Sequence, residues 1–198
     1  MKSLTMNKHK AIIVTCCFIS TLFFASSMYI HAKAIFAQWL IANAWTATLS
    51  TGKQQPPWSW ADTYPVAKIS LQKKRYYLLA GVTGRTLAFG PGHMSSTPLP
   101  GEVGNTVIAG HRDTHFAQLE HLTFNDTLTV ETLRGKFTYQ IIDISIVHEQ
   151  DMSVTAASNN DTLTLITCYP FDSLSPNTQW RYVIQATLQK QGNNSADV

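Results

Sequence analysis

Three cysteines occur in the chain, and only Cys168 lies outside the apolar N-terminal run that holds Cys16 and Cys17. Exported domains usually pair their thiols or lack them, because their compartment is oxidising. A single leftover thiol is reactive, intermolecular or an inert buried residue, and its surroundings favour the first. Thr162-Leu163-Thr164-Leu165-Ile166-Thr167 runs directly into Cys168. A nucleophile at the end of a core strand is held rigidly while its side chain faces a cleft. Upstream, Thr106-Val107-Ile108-Ala109 runs into Gly110-His111-Arg112-Asp113; downstream, Trp180-Arg181-Tyr182-Val183-Ile184 opens another apolar run. Three strand ends therefore carry Cys, His and Arg. Taken singly, a histidine in a polar turn is more often solvated and an arginine at a strand start is more often an edge charge. Converging on one barrel rim, the three would supply a nucleophile, a proton donor and a charge stabiliser.

The elements that must position them are short β runs broken by Gly, Pro and Asn. Expected strands are Val66–Leu71, Tyr76–Ala80, Thr106–Ala109, Thr127–Thr132, Phe137–Val147, Thr162–Thr167 and Arg181–Leu188. Alternation of apolar and hydroxyl residues is clearest in TLTVETL and TLTLITC. Such a set predicts a sandwich or a closed barrel. Gly135, between two runs, signals a hairpin. Helical turns are expected at Phe116–His121 and Val154–Ala157, and Phe89–Gly104 reads as a long Pro/Gly/Ser-rich loop.

Charge and hydropathy separate this domain from what precedes it. Residues 1–57 carry five lysines and no acidic side chain, whereas residues 58–198 carry ten basic and twelve acidic ones. The net charge of +3 thus belongs to the N-terminal segment, which argues against a nucleic-acid partner, since such a binder carries its basic patch on the folded domain. Ala11–Ile30 is free of formal charge, and a helix of about 20 residues spans the ~30 Å hydrocarbon core. Lysines 2, 8 and 10 precede it and only Lys33 follows closely, so the positive-inside bias puts the N-terminus in the cytoplasm. An uncleaved anchor is favoured over a signal peptide because the run is long and FFASSMY is a poor cleavage site. The stretch after it, AKAIFAQWLIANAWTATLS, is expected to continue the helix or to lie at the interface with Trp39 and Trp45 at headgroup depth. TGKQQPP reads as a linker.

TLTLITC, ending at Cys168, resembles the TLxTC signature of sortases. NTVIAGHRD around His111 is similar to their histidine motif, WRYVIQA resembles their arginine strand, and the order His, Cys, Arg agrees. The resemblance covers most of residues 58–190. PPWSWADTYPVAKI and GHRDTHF look similar to the Gram-negative, or class GN, subgroup. The resemblance implies an all-β, eight-stranded barrel with short helices, preceded by a transmembrane helix. The implied division is a cytoplasmic tail (1–10), an anchor (11–30), a membrane-proximal helix and linker (31–57), a catalytic domain (58–190) and a flexible tail (191–198). It also implies a transpeptidase of the inner membrane with its catalytic domain outside the cytoplasm. Such an enzyme cleaves an LPxTG-like sorting signal on an exported protein and passes the acyl group to an amine. In that scheme Cys168 attacks, His111 protonates the departing amine and deprotonates the incoming one, and Arg181 holds the substrate backbone and the oxyanion. Thr167 would add a supporting hydrogen bond. A nearby imidazolium and guanidinium both favour the reactive thiolate.

Other residues carry less. His115, four after His111, has a metal-ligand spacing, yet Gly110 disfavours a helix there and no third ligand announces itself. The acidic residues are scattered, which assigns no calcium site, and no cofactor is expected. Asp113 is a candidate helix cap or histidine orienter, and His93 either lines the substrate groove or has no role. Two other readings are open to the sequence. A cysteine L,D-transpeptidase would need an SxGC-type loop, which is absent around Thr167–Cys168. A non-catalytic, anchored β-domain that binds a partner would leave Cys168 buried or replaceable.

Overall fold

The computed structural model describes residues 2–173, 175 and 178–189, so the tail expected at 191–198 lies outside the described residues. The chain divides into two compact units, Met1–Trp39 and Leu40–Val198. Helix α1 spans Lys2–Thr51. It is long and apolar enough to cross a membrane by length and composition. Within the first unit Ile12, Val14, Phe18, Phe23, Phe24 and Ile30 are all exposed. The helix ends where Gly52 takes a φ of +69° and its N–H reaches Thr48 O at 2.9 Å, a left-handed cap that glycine adopts without a Cβ penalty.

Within the second unit Ile41, Ala44, Trp45 and Thr48 are buried. Their spacing of three and four residues puts them on one helix face. Of the two aromatic residues expected at headgroup depth, Trp39 is exposed while Trp45 is only 3% exposed. Trp45 therefore belongs to the packing of the folded unit.

The strands are β1 (Pro65–Leu71), β2 (Lys74–Ala80), β3 (Gly92–His93), β4 (Asn105–Ala109), β5 (Thr127–Thr132), β6 (Gly135–His148), β7 (Thr162–Tyr169) and β8 (Trp180–Leu188), with a short helix α2 at Gly84–Leu87. They form a closed barrel in the order β1-β2-β3-β4-β7-β8-β6-β5. Seven strands fall where alternation predicts them. The eighth, β3, lies inside the expected loop at 89–104 and is too short to show a period. A Cβ on Gly92 would collide with the backbone carbonyl of Gly81, so only glycine lets β3 approach β2. The helical turns are 3₁₀ segments at Ala117–His121 and Met152–Thr155.

Inward-facing Ala67, Ile69, Ile108, Leu128, Val130, Leu163, Leu165, Ile184 and Ala186 are fully buried and fill the barrel. Burial of such side chains, ~25 cal/mol per Å² of apolar area, is what closes the sheet. The pairings that matter for chemistry are β4 with β7, parallel from Asn105↔Thr162 to Ala109↔Ile166, and β7 with β8, antiparallel. Parallel pairing brings the C-terminal ends of β4 and β7 to one rim, and antiparallel pairing starts β8 at that same rim.

Candidate active site

Leu163 and Leu165 point into the core, so strand alternation puts Ile166 and Cys168 on the opposite face of β7. Cys168 is a free, half-buried thiol. Its cross-strand partner on β8 is Arg181. Directly opposed residues of an antiparallel pair share a face, with Cβ atoms about 4.5–5.5 Å apart. The Cys168 thiol and the Arg181 stem are thus neighbours by register.

His111 reaches this rim through Gly110. Gly110 N–H donates to Ile166 O at 3.1 Å, and the Thr167 hydroxyl donates to Gly110 O at 2.7 Å. Thr167 is 2% exposed, so this bond is shielded from competing water. The pair of bonds extends the β4–β7 register beyond Ala109 and sets His111 level with Cys168. His111 is exposed; its carbonyl accepts from Phe116 N–H at 2.9 Å, which closes the turn behind it. A Cβ on Gly110 would lie 2.7 Å from the Phe116 ring, which explains glycine at this position.

Arg181 is already engaged within the chain. Its Nη2 donates to Glu149 Oε2 at 2.8 Å, and its Nη1 donates to Thr178 O at 2.6 Å and to Trp180 O at 3.0 Å. A guanidinium so held is oriented, with three of its five N–H donors committed to these acceptors.

His115, Asp113 and His93 each have a local setting of their own. His115 packs edge-to-face on Tyr76, ring centroids 5.7 Å apart; burial, and then His111, push its pKa down against a smaller upward pull from Asp113. Asp113 is exposed and does not cap the 3₁₀ turn, which starts behind Phe116 with no side-chain cap bond. His93 is 4% exposed and its Nε2–H donates to Pro98 O at 3.0 Å. It braces its own loop from within.

Three residues that sequence reasoning passed over frame the site. Asn105, 4% exposed, donates from Nδ2 to Val154 O (3.0 Å) and Ala156 O (3.1 Å) and accepts from Thr164 Oγ1 (2.6 Å). It ties the β6–β7 loop to the β4–β7 pair. Glu149, at the start of that loop, carries the ion pair to Arg181. Arg112, beside His111, is buried and reaches the β7–β8 loop. A polar residue opening an apolar strand marks Asn105 in the sequence, and the GHRD run contains Arg112; nothing local marks Glu149.

The family model described as Sortase domain matches residues 67–189, and the chain belongs to the sortase family. Sortase D of Bacillus subtilis (strain 168) is 36% identical over 108 residues, 54% of this chain and 54% of that protein. The chain thus spans about half the length of this curated relative. Among solved structures, the catalytic domain of B. anthracis SrtD is 38% identical with a TM-score of 0.55, covering 64% of this chain and 88% of that one. A Clostridium perfringens Sortase D5 transpeptidase is 26% identical with a TM-score of 0.59, covering 71% and 85%. Sortase A from Corynebacterium diphtheriae gives 26% and 0.60, covering 69% and 66%.

Proposed function

We propose that the protein is a membrane-anchored cysteine transpeptidase acting on an LPxTG-like sorting signal. The observation that carries this reading is the register pairing of Cys168 with Arg181, with His111 delivered to the same rim by the parallel neighbour β4. The Cys168 thiolate attacks the scissile carbonyl and a C–S bond forms. The oxyanion is held by Arg181, and the tetrahedral species collapses with loss of the amine, which takes its proton from the His111 imidazolium. An incoming amine gives its proton back to His111 and attacks the thioester, which restores the thiolate and leaves a new amide. Thr167 supports this through Gly110, fixing the strand end that carries His111.

The apolar α1 and its lysine flank support a single-pass anchor with the N-terminus in the cytoplasm and the barrel outside it. Membership of the class GN subgroup is supported by PPWSWADTYPVAKI and GHRDTHF; the substrate is an exported protein carrying the signal. The test is incubation of the detergent-solubilised protein with LPxTG-like peptides and an amine, read by mass spectrometry. A thioacyl adduct on Cys168 and an amine-capped product, both lost in Cys168→Ala, are expected. No adduct with any peptide, or activity retained in Cys168→Ala, overturns the reading.

A further inference from the structure

Arg112 is a charged side chain only 9% exposed. Removing a guanidinium from water costs several kcal/mol, by order of magnitude, unless its donors are matched. Here Nη2 donates to Ser173 O and to Ser175 O, each at 2.6 Å, and Nη1 reaches Thr178 Oγ1 at 3.5 Å. All three acceptors lie on the segment between Cys168 and Arg181. Neutral acceptors on a connecting loop give no charge neutralisation, so the energetic return is positional. The planar fork is well suited to fixing carbonyls two residues apart, which a flexible ammonium is not.

Thr178 is the joint of the network. Its hydroxyl faces Arg112 and its carbonyl accepts from Arg181 Nη1 at 2.6 Å. The turn that presents His111 therefore also presents, one residue later, a guanidinium whose contacts meet those of Arg181 at Thr178. We propose that Arg112 is a positioning residue of this site: it fixes Ser173, Ser175 and Thr178 and, through Thr178, aims Arg181 at the Cys168 side of the barrel. The part concerning turnover rests on the transpeptidase reading, whereas the positioning itself does not.

The experiment compares full-length wild type with Arg112→Lys, Arg112→Gln and Arg181→Gln, each checked for folding by its thermal unfolding midpoint. Two readouts need no substrate: amide hydrogen exchange at Ser173, Ser175 and Thr178 and the rate of Cys168 alkylation by iodoacetamide at neutral pH. In both Arg112 variants exchange at these three amides is expected to quicken at least tenfold while β7 and β8 keep their protection. Alkylation is expected to slow towards the Arg181→Gln value, the Lys variant lying between. With a sorting peptide, kcat is expected to fall about tenfold or more in Arg112→Gln with KM within roughly twofold, because Arg181 acts at the oxyanion. If Arg112→Gln does not fold, the Arg112→Lys comparison decides. Unchanged exchange and alkylation in a folded variant overturn the proposal. The expected exchange and alkylation changes in a wild type that forms no adduct with any peptide uphold the positioning role and sink the transpeptidase reading instead.

Discussion

Glu149 Oε2 lies 2.8 Å from Nη2 of Arg181, so the arginine opposite Cys168 is held by a carboxylate from the β6–β7 loop. Both side chains are partly exposed, at 27% and 41%, and such a pair is worth about 0–1 kcal/mol to the fold. Its effect is therefore expected in reactivity. Glu149→Gln removes a negative charge from the neighbourhood of the thiol. A unit charge about 10 Å away in water-like surroundings is worth ~0.4 kcal/mol, a factor of roughly two. Alkylation of Cys168 at neutral pH is expected to quicken about twofold, with the unfolding midpoint almost unmoved. A slower rate would mean that Glu149 is needed to aim Arg181 rather than merely to neutralise it.

Asn105→Ala severs the β6–β7 loop from the barrel and leaves the Thr164 hydroxyl buried without its acceptor. The expected cost is about 1–3 kcal/mol, measured by urea titration. Hydrogen exchange over 149–161 is expected to accelerate, and KM for a sorting peptide to rise more than kcat falls. A loss of stability with unchanged exchange in the loop would show that the bonds to Val154 and Ala156 do not anchor it.

Gly110→Ala places a methyl group against the Phe116 ring. Overpacking of this kind costs about 1–3 kcal/mol, and the relief available is to push out the turn that carries His111. Transpeptidation is expected to fall at least tenfold in protein that still unfolds cooperatively, since a shift near 1 Å in a catalytic group can cost about a hundredfold. Wild-type turnover in Gly110→Ala would show that the turn position does not control His111.

His93 gives the fold a pH dependence. Burial pushes its pKa down, against smaller upward pulls from Pro98, Thr97 and Glu102. The unfolded chain takes up this proton near the ordinary value of about 6.5, while the folded chain resists until lower pH. The neutral form's contribution is therefore fully present above ~6.5 and is lost as the pH falls towards the folded-state value. His115, shifted the same way, adds to it. The unfolding midpoint is expected to drop between about pH 7.5 and pH 5.5, and to drop less in His93→Gln. An equal drop in the variant would assign the effect to other groups.

Strand positions were legible because hydroxyl–apolar alternation in TLTVETL and TLTLITC is the direct imprint of a wall with one face in the core. The candidate triad was legible for a related reason: each member lies at or just beyond the end of a strand-like run, so its element could be named before its neighbours were known. β3 was not, since two residues show no period and its fit depends on the carbonyl of Gly81, a contact between segments. Trp45 was misplaced because a helix face shows which residues are buried together but not whether lipid or protein buries them. Glu149 and Arg112 act across 32 and about 60 residues of sequence, on Arg181 and on the 173–178 loop respectively. Tertiary closure alone brings those partners together.

Parallel pairing of β4 with β7 means that no hairpin can assemble this site. Fifty-seven positions separate Ala109 from its partner Ile166, and β5 and β6 lie between them in the chain. Contacts so distant in sequence form late, after the entropy of closing the intervening loop has been met. An incompletely folded chain thus has Cys168 without His111 beside it. Closure of the barrel and the approach of His111 to Cys168 are thus one event, and neither residue can meet the other before the intervening strands are in place.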